Sequence, residues 1–464
     1  MLRSRRLPDG NLRPVTTSST TDDGNRRPPR MEKVLRAGNI PRPGCGYQNI
    51  KGSDTKPRNL IRKAGAWTIM PILFHRDIAL VVATSILTGL AIAEEPSVPL
   101  QIESRSIVFN YPQTDPYDRS NLYGFNHAPS VARLPDGRLL CVWFSGPHEA
   151  SVHQVILAAF SSDQGRTWGK SFVLQDEARS SDFDPALLVD GQRTWFFYVY
   201  GRWNRYPFAQ GLPKGSSYIG DNPTAHLSER EFIGNHSFHL YARYSDDSGK
   251  TWSKQRRIHD TAGCRSNGIR LTSGELLLPT HDFANNWKES HVIRSADRGK
   301  KWSRVGSIVN KAGVDEPTIA ELRNGDVMMA LRTNDGNLWT CTSGDKGATW
   351  SKPHRHEIQA GAASHNLFRI SDGRVVLTHD ECPVGKRTPL TMRVTQDGRR
   401  WSQPLTIAKS LTPGDGNDYW GCQVTYPSVC ELPEKVLVVV WSYINMSNTE
   451  QYGEIRSARV KVLD

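Results

Sequence analysis

The stretch Val155-Ile-Leu-Ala-Ala-Phe-Ser-Ser-Asp163-Gln-Gly165-Arg-Thr-Trp168 decides the fold of this chain. Its apolar first half is typical of a strand, and its second half is typical of a turn. The Asp163 carboxylate is placed to accept backbone N–H bonds, and Gly165 tolerates a positive φ. Trp168 then packs as a hydrophobic plug. We therefore interpret the stretch as a strand that leads into a hairpin turn.

The same turn, called the Asp box below, recurs along the chain. Its further copies are Ser245-Asp-Asp-Ser-Gly-Lys-Thr-Trp252, Ser295-Ala-Asp-Arg-Gly-Lys-Lys-Trp302, Ser343-Gly-Asp-Lys-Gly-Ala-Thr-Trp350 and a shortened Thr395-Gln-Asp-Gly-Arg-Arg-Trp401. Their tryptophans are separated by 84, 50, 48 and 51 residues. A period near 50 residues fits one four-stranded antiparallel sheet per repeat.

A second series of turns alternates with the boxes, and each is followed by a strand-like apolar run. These turns are Pro135-Asp-Gly137, Asp190-Gly191, Ser273-Gly274, Asn324-Gly325, Asp372-Gly373 and Pro433-Glu434. Six inner and five outer hairpins predict an all-β, six-bladed β-propeller. We expect residues 455–462 and 106–110 to pair and close the ring. The long first interval predicts an insertion at about residues 201–235.

Repeated Ser-x-Asp-x-Gly-x-Thr-Trp boxes at this spacing resemble those of the sialidase (neuraminidase) superfamily of six-bladed propellers, over roughly residues 102–464. The resemblance implies an exported exo-glycosidase of the sialidase type that acts on a terminal acidic sugar of a glycan. The boxes lie in structural turns, and the fold alone does not imply the activity.

The residues before the propeller carry most of the chain's net charge of +12. Residues 1–69 contain 15 Lys and Arg but 5 Asp and Glu, and we expect a disordered leader or a start codon assigned too early, with translation beginning at Met70. Residues 70–93 read as a signal peptide, with the uncharged run 78–93 ending at Ala93. This predicts a secreted or periplasmic protein, and a retained N-terminal membrane anchor is the alternative.

The propeller region itself, residues 94–464, holds 43 basic and 41 acidic residues. So small an excess argues against nucleic acid as a partner, and no stable membrane insertion is expected. The cysteines show no metal-binding spacing. Cys422 and Cys430 are a candidate pair, but buried free thiols are the expectation for most cysteines. The sequence indicates no cofactor and no catalytic metal, leaves a structural calcium ion open, and carries no prediction of the oligomeric state.

Blade topology sorts the polar residues by face. The starts of first strands, the ends of second strands and the loops between second and third strands share one end of the propeller. The residues predicted at this end are His127, Asp184, Arg265, Asn267, Glu316, His365, Asn366, Tyr426, Trp143, Arg202, His281, Asp282, Arg332, His379, Asp380, Tyr443, His148, Glu149 and Arg387. Polar groups that converge on a central mouth are the default ligand site.

The resemblance assigns roles to five of these residues. Tyr426 matches the family's nucleophile, Glu316 the residue that activates it, and Glu149 the general acid and base. Arg332 and Arg387 match arginines that bind the sugar carboxylate. Such a carboxylate calls for guanidinium forks, and sialidases use a tyrosine nucleophile.

Two positions depart from the family pattern. His127 stands where the family has its first arginine, and Glu149 replaces an aspartate. Arg265 is a candidate for a third positive charge. These departures leave two alternatives open, a propeller carbohydrase of other chemistry such as a uronic-acid glycosidase or lyase with His127 as acid or base, and a non-catalytic glycan-binding propeller. For each residue a structural role, such as an exposed rim arginine or a buried Glu316–Tyr426 pair, is also open.

Overall fold

A computed structural model describes residues 99–110, 123–146, 149, 154–177, 180–202, 237–283, 289–310, 313–410, 423–447 and 450–463. These residues form strands joined by turns, without an α-helix among them. The strands make six antiparallel sheets arranged in a ring, one sheet per blade, which confirms the six-bladed propeller.

The strand bounds follow the predicted turns. Blade I consists of β2 (Phe125–Arg133), β3 (Leu139–Gly146), β4 (Val155–Ser161) and β5 (Phe172–Gln175), and blade II of β6 (Ser181–Asp190), β7 (Arg193–Arg202), β8 (Ser237–Ser245) and β9 (Arg256–His259). Blade III consists of β10 (Ala262–Cys264), β11 (Ile269–Arg270), β12 (Leu276–Asp282), β13 (Glu289–Ser295) and β14 (Ser303–Val309). Blade IV consists of β15 (Asp315–Glu321), β16 (Val327–Arg332), β17 (Asn337–Ser343) and β18 (His354–Gln359). Blade V consists of β19 (Asn366–Arg369), β20 (Val375–Asp380), β21 (Leu390–Thr395) and β22 (Leu405–Ala408). Blade VI consists of β23 (Gln423–Leu432), β24 (Val436–Ser447), β25 (Glu450–Val462) and β1 (Leu100–Phe109).

Strand β1 comes from the other end of the chain and completes blade VI. It pairs antiparallel with β25, from Leu100 opposite Val462 to Phe109 opposite Ile455. The expected closure is therefore confirmed, with a first strand longer than residues 106–110. Strand β1 thus supplies the outermost strand of blade VI and covers the outer edge of β25.

The core lies between the blades, and burial falls from the axis outwards. The inner strand β2 is buried along almost its whole length, whereas the outer strand β14 is exposed or half-buried at every position except Ile308. This gradient explains why the inner strands read as continuous apolar runs and the outer ones do not.

The Asp boxes form the turns between third and fourth strands, as predicted. In the first box, Asp163 Oδ1 accepts hydrogen bonds from the backbone N–H of Thr167 at 2.9 Å and from the hydroxyl of Ser161 at 2.8 Å. In the third, Gly299 has a φ of +83°, and a Cβ atom there would lie 2.0 Å from Trp195 of blade II. The box glycine is thus required both by its backbone conformation and by contact with the neighbouring blade.

Hydroxyl groups join successive inner strands. Ser130 of blade I accepts a hydrogen bond from the N–H of Leu187 in blade II at 3.1 Å. Ser428 of blade VI accepts one from Val131 in blade I at 3.1 Å, and Thr318 of blade IV accepts one from Leu367 in blade V at 2.9 Å. These bonds fix the offset of one blade relative to the next.

Several sequence predictions fall outside the described residues. They are the leader at 1–69, the signal peptide at 70–93, nearly all of the insertion at about 201–235, and Cys422. Cys430 is a free, buried thiol, as are the other described cysteines, Cys141, Cys264, Cys341 and Cys382. Over the described ranges, no helix has the length and apolar character needed to cross a membrane.

Candidate active site

Four of the six blades bend their innermost strand at the same place. The strand register shifts there, and one non-glycine residue takes a positive φ: Ala128 (56°), Asp184 (48°), Glu316 (37°) and Tyr426 (58°). Each is followed by a proline. Such a bulge redirects a side chain, and a residue held in this region of φ and ψ costs about 1–3 kcal/mol. Three of the four bulges carry polar side chains.

Tyr426, Glu316 and Arg332 form a closed triangle. The Tyr426 hydroxyl donates a hydrogen bond to Glu316 Oε1 at 2.9 Å and accepts one from Arg332 Nη1 at 2.9 Å. The same Nη1 lies 2.7 Å from Glu316 Oε2. Tyr426 and Glu316 are buried, at 5% and 8% exposed. The structure therefore brings together residues from blades IV and VI that are 110 positions apart.

Burial and the charges around the triangle shift the pKa values of Tyr426 and Glu316 in opposite directions. Burial raises the pKa of Tyr426 well above its ordinary value, although Arg332 and Arg387 oppose the change. Burial also acts to raise the pKa of Glu316, but the guanidinium groups of Arg332 and Arg265 hold it below its ordinary value. At neutral pH the pair is a phenol donating to a carboxylate, which is the arrangement a tyrosine nucleophile and its base require.

Arg387 belongs to the loop between β20 and β21 and also lies beside the Tyr426 ring. Its guanidinium carbon is 5.3 Å from the ring centroid. Nη1 donates to Gln423 Oε1 at 3.0 Å, and Nη2 donates to the Ala362 carbonyl at 3.3 Å. The two arginines predicted to bind a carboxylate thus both adjoin Tyr426.

His127 packs directly on the Tyr426 ring, with 4.1 Å between ring centroids. Its Nδ1 is 2.9 Å from the Ser442 hydroxyl, which also accepts the N–H of Ala128 at 2.9 Å. Burial, reinforced by three arginines of which Arg387 is the strongest, holds the pKa of His127 well below its ordinary value. A neutral imidazole therefore lies where the sequence predicted a substrate-binding histidine.

Arg265 is a buried arginine that also contacts Tyr426. The side chain is 1% exposed, and its guanidinium carbon lies 4.8 Å from the Tyr426 ring centroid. Nη2 donates to the main-chain carbonyl of Tyr426 at 3.2 Å. The sequence predicted a substrate-binding role for Arg265, and that role stays a prediction.

Two further carboxyl groups face the triangle. Glu149 is partly buried, and burial raises its pKa while Arg387 opposes the change. Asp184, at 9% exposed, has a pKa raised well above its ordinary value by burial and by the charge of Glu316. His148, predicted beside Glu149, lies outside the described residues. A protonated carboxylic acid beside a carboxylate is the pairing that glycoside hydrolysis uses.

The chain is similar in sequence to a known domain family and to several sialidases. A model of the BNR repeat-like domain matches residues 137–438, which is more than half of the chain. The chain belongs to the BNR repeat-like family. Its curated relatives include a sialidase from Paraclostridium sordellii, 28% identical over 51% of this chain, and a sialidase from Micromonospora viridifaciens, 29% identical over 66% of this chain. These similarities and the fold place it in the sialidase superfamily. This BNR propeller spans 60% and 48% of the length of those two relatives.

Solved structures share the fold of this BNR propeller. A protein of unknown function from Dyadobacter fermentans aligns over 78% of this chain and 99% of its own length, with a TM-score of 0.59 and 16% identity. A Trypanosoma rangeli sialidase in complex with sialic acid aligns over 80% of this chain and 60% of its own length, with a TM-score of 0.55 and 16% identity. At that identity the similarity shows the fold.

Sequence reasoning placed Asp184 at the correct end of the propeller but did not assign it to the site. A usable signal was present in the motif X-Pro-Ser/Thr/Ala. It occurs as Ala128-Pro-Ser130, Asp184-Pro-Ala186, Glu316-Pro-Thr318 and Tyr426-Pro-Ser428. The residue before the proline is the bulged one, and in three copies the residue after it supplies the hydroxyl that joins two blades. The inner strands of blades III and V lack the motif, and Arg265 and His365 are buried there. The same pattern in the second strand of blade III, Leu278-Pro-Thr280, carries no positive φ, so the signal is specific only at an inner strand.

Among the described residues, no three His, Cys, Asp or Glu side chains converge in a way that would hold a metal ion.

Proposed function

We propose that this BNR propeller is a sialidase-type exo-glycosidase that removes a terminal acidic sugar from a glycan. The observation that carries the proposal is the triangle of Tyr426, Glu316 and Arg332, with a phenol 2.9 Å from a buried carboxylate. A buried structural tyrosine needs one hydrogen-bond partner. Tyr426 instead sits on a strained bulge among a carboxylate and several cations, which is costly to maintain without a function.

Tyr426 acts as the nucleophile in this proposal. Its oxygen attacks the anomeric carbon of the sugar, and its proton passes to Glu316 as the bond forms. A neutral nucleophile paired with a base avoids bringing a second full negative charge close to the substrate carboxylate. Arg332 contacts both partners and stabilises the charge that moves between them.

Glu149 serves as the general acid and then as the general base. Its raised pKa keeps a proton available for the leaving glycosidic oxygen. Arg332 and Arg387 bind the sugar carboxylate, since both guanidinium groups adjoin the Tyr426 ring or hydroxyl. His127 forms the neighbouring wall and contributes a neutral ring.

The test compares the wild-type protein with Tyr426→Phe on fluorogenic glycosides of sialic acid and related acidic sugars. We expect kcat to fall on the order of 10³-fold or more, because the nucleophilic oxygen is lost. Tyr198→Phe is the matched control. Tyr198 is also buried and its hydroxyl donates to Gln255 at 2.5 Å, but it lies in blade II away from the triangle. Full activity of Tyr426→Phe on a substrate of the wild type would refute the mechanism.

One observation favours a second chemistry. The neutral ring of His127 lies against Tyr426, and a neutral histidine next to a tyrosine is also suited to removing a proton from a uronic acid. A panel of uronic-acid polysaccharides tests this, because a lyase product carries a new double bond that absorbs ultraviolet light. Glycan binding without turnover on either panel would indicate a non-catalytic propeller.

Export is part of the same proposal. It is supported by the uncharged run 78–93 that ends in Ala-Ile-Ala. N-terminal sequencing of protein recovered outside the cytoplasm is expected to begin just after Ala93. A mature protein that retains residues 70–93 would indicate the membrane anchor instead.

A further inference from the structure

Arg265 is a buried cation with an unusual set of partners. Nη2 donates to the carbonyl of Tyr426 at 3.2 Å, and Nη1 donates to the carbonyl of Pro129 at 3.5 Å. Its Nε atom has no hydrogen-bond partner within the described part of the chain. Burying a guanidinium costs several kcal/mol even after relaxation. Because Arg265 is only 1% exposed, its burial must be offset by favourable interactions with its neighbours.

Both acceptor carbonyls belong to strained bulges. Tyr426 itself has a φ of 58°, and Pro129 follows Ala128, whose φ is 56°. The first bulge is in blade VI and the second in blade I, while Arg265 follows β10 in blade III. A single side chain thus reaches across the central channel and holds two strained backbones. Strain of this kind persists only where surrounding contacts over-determine it.

Most of the titratable groups facing Arg265 come from other blades. They are the carboxyl groups of Asp184 in blade II and Glu316 in blade IV and the Tyr426 hydroxyl in blade VI, together with the adjacent Cys264 thiol of its own blade. Its cation also acts on Glu316, alongside Arg332, and favours the carboxylate form. Arg265 is therefore coupled to both members of the Tyr426–Glu316 pair, by contact with one and by charge with the other.

We propose that Arg265 is a positioning residue that fixes the bulge at Tyr426, so that the phenol stays on Glu316, and that it does not itself touch the substrate. The role as positioner of a nucleophile rests on the proposed function. The contacts that hold the bulge do not depend on it.

The kinetic test uses Arg265→Met and Arg265→Lys on an acidic glycoside that the wild type hydrolyses. For Arg265→Met we expect kcat to fall about 100-fold with KM changed by less than about threefold, because the nucleophile is displaced while the carboxylate-binding arginines remain. Loss of a nearby cation also raises the pKa of Glu316, so the acid limb of the kcat profile moves to higher pH. Arg265→Lys retains the charge and is expected to keep the limb in place.

Arg459→Met is the matched control. Arg459 is 5% exposed, donates to the Gln164 carbonyl at 2.6 Å, and pairs with Glu103 at 3.0 Å, far from the triangle. Its replacement is expected to lower the melting temperature and leave kcat, KM and the pH profile unchanged. A rise in KM with unchanged kcat in Arg265→Met would show that Arg265 binds substrate and would overturn the positioning role.

A crystal structure of Arg265→Met tests the inference without activity. We expect the φ of Tyr426 to leave the left-handed region and its hydroxyl to move beyond 3.5 Å from Glu316. An unchanged bulge would overturn the inference. If the variant does not fold, the structure of Arg265→Lys decides: an ammonium that misses the Tyr426 carbonyl should release the bulge, and an intact bulge without that contact would overturn the inference. If the wild type hydrolyses no acidic glycoside, the proposed function is wrong. The crystal structures of the variants still test whether Arg265 holds the Tyr426 bulge.

Discussion

The two ends of the propeller use the same residue types for opposite purposes. At the box end, Asp163 is half-buried, and its hydrogen bonds to Thr167 and Ser161 lower its pKa to about 2 although desolvation opposes the change. At the mouth, burial raises the pKa of Asp184 well above its ordinary value and that of Asp380 to about 7. The box end thus fixes carboxylates as permanent hydrogen-bond acceptors. At the mouth, burial favours the protonated form of Asp184 and Asp380, whereas Arg332 and Arg265 hold Glu316 as a carboxylate.

Positive φ on non-glycine residues occurs at both ends of the propeller. In each full-length box it falls on the glycine and on the residue before it, as at Gly165 and the exposed Gln164. At the mouth it falls on the buried residues Asp184, Glu316 and Tyr426. The mouth therefore differs from the first box in placing the strained conformation on buried polar side chains.

The largest effect is expected at Glu316. Glu316→Gln keeps the side-chain volume but removes the base, and we expect kcat to fall on the order of 10³-fold. Glu321→Gln is the control on the same strand, β15. Its carboxylate lies at the opposite end, where it accepts from Thr272 and pairs with Arg369 at 2.8 Å. We expect Glu321→Gln to reduce the free energy of unfolding and leave kcat intact. An equal loss of kcat in both variants would contradict the assignment of the catalytic carboxylate to the mouth and of a structural one to the opposite end.

A box glycine should instead affect stability. Gly299→Ala forces a left-handed residue against Trp195 and is expected to cost about 3 kcal/mol in the free energy of unfolding, with kcat per folded molecule unchanged. Gly325→Ala, at a φ of +89° with nothing within 4 Å, isolates the backbone contribution and is expected to cost about 1 kcal/mol. Urea unfolding measures both. Similar losses in the two variants would mean that contact between blades contributes nothing at the box.

A further contrast between the two ends concerns the pH dependence of stability. Because the pKa of Asp380 is about 7 in the folded protein against 3.8 ordinarily, the folded state binds more protons between about pH 4 and pH 7. Asp380 therefore lowers the free energy of unfolding as pH rises through that window. Asp380→Asn is expected to remove this decline, as measured by urea unfolding at about pH 4.5 and pH 7.5.

Asp163 has the opposite sign. Its pKa is depressed, so the stability it contributes is present above about pH 4 and is lost as the pH falls towards 2. Asp163→Asn should lower the free energy of unfolding above about pH 4, and its difference from the wild type should disappear as the pH falls towards 2. A pH slope between 4 and 7 that Asp380→Asn leaves unchanged would contradict the assignment of a protonated carboxyl to the mouth.

The sequence by itself determined the architecture. Box and turn motifs such as Ser161–Trp168 act through local hydrogen bonds and φ preferences, so their meaning does not depend on distant residues. Counting them predicted six blades, the closing strand and the end of the propeller on which Tyr426, Glu316, Arg332 and Arg387 lie.

Only the tertiary structure decided which of these residues contact one another and how deeply each is buried. Alternation along a strand predicts which face a side chain takes, but a bulge resets it, and so Asp184 was placed at the mouth without being assigned to the site. Likewise Arg265 reads in sequence as a ligand for an anion. The structure buries it under Tyr426, because its partners are carbonyls on blades I and VI. Burial and charge neighbours, which set every pKa at the mouth, come from blades far apart in the chain and exist only once the ring has closed.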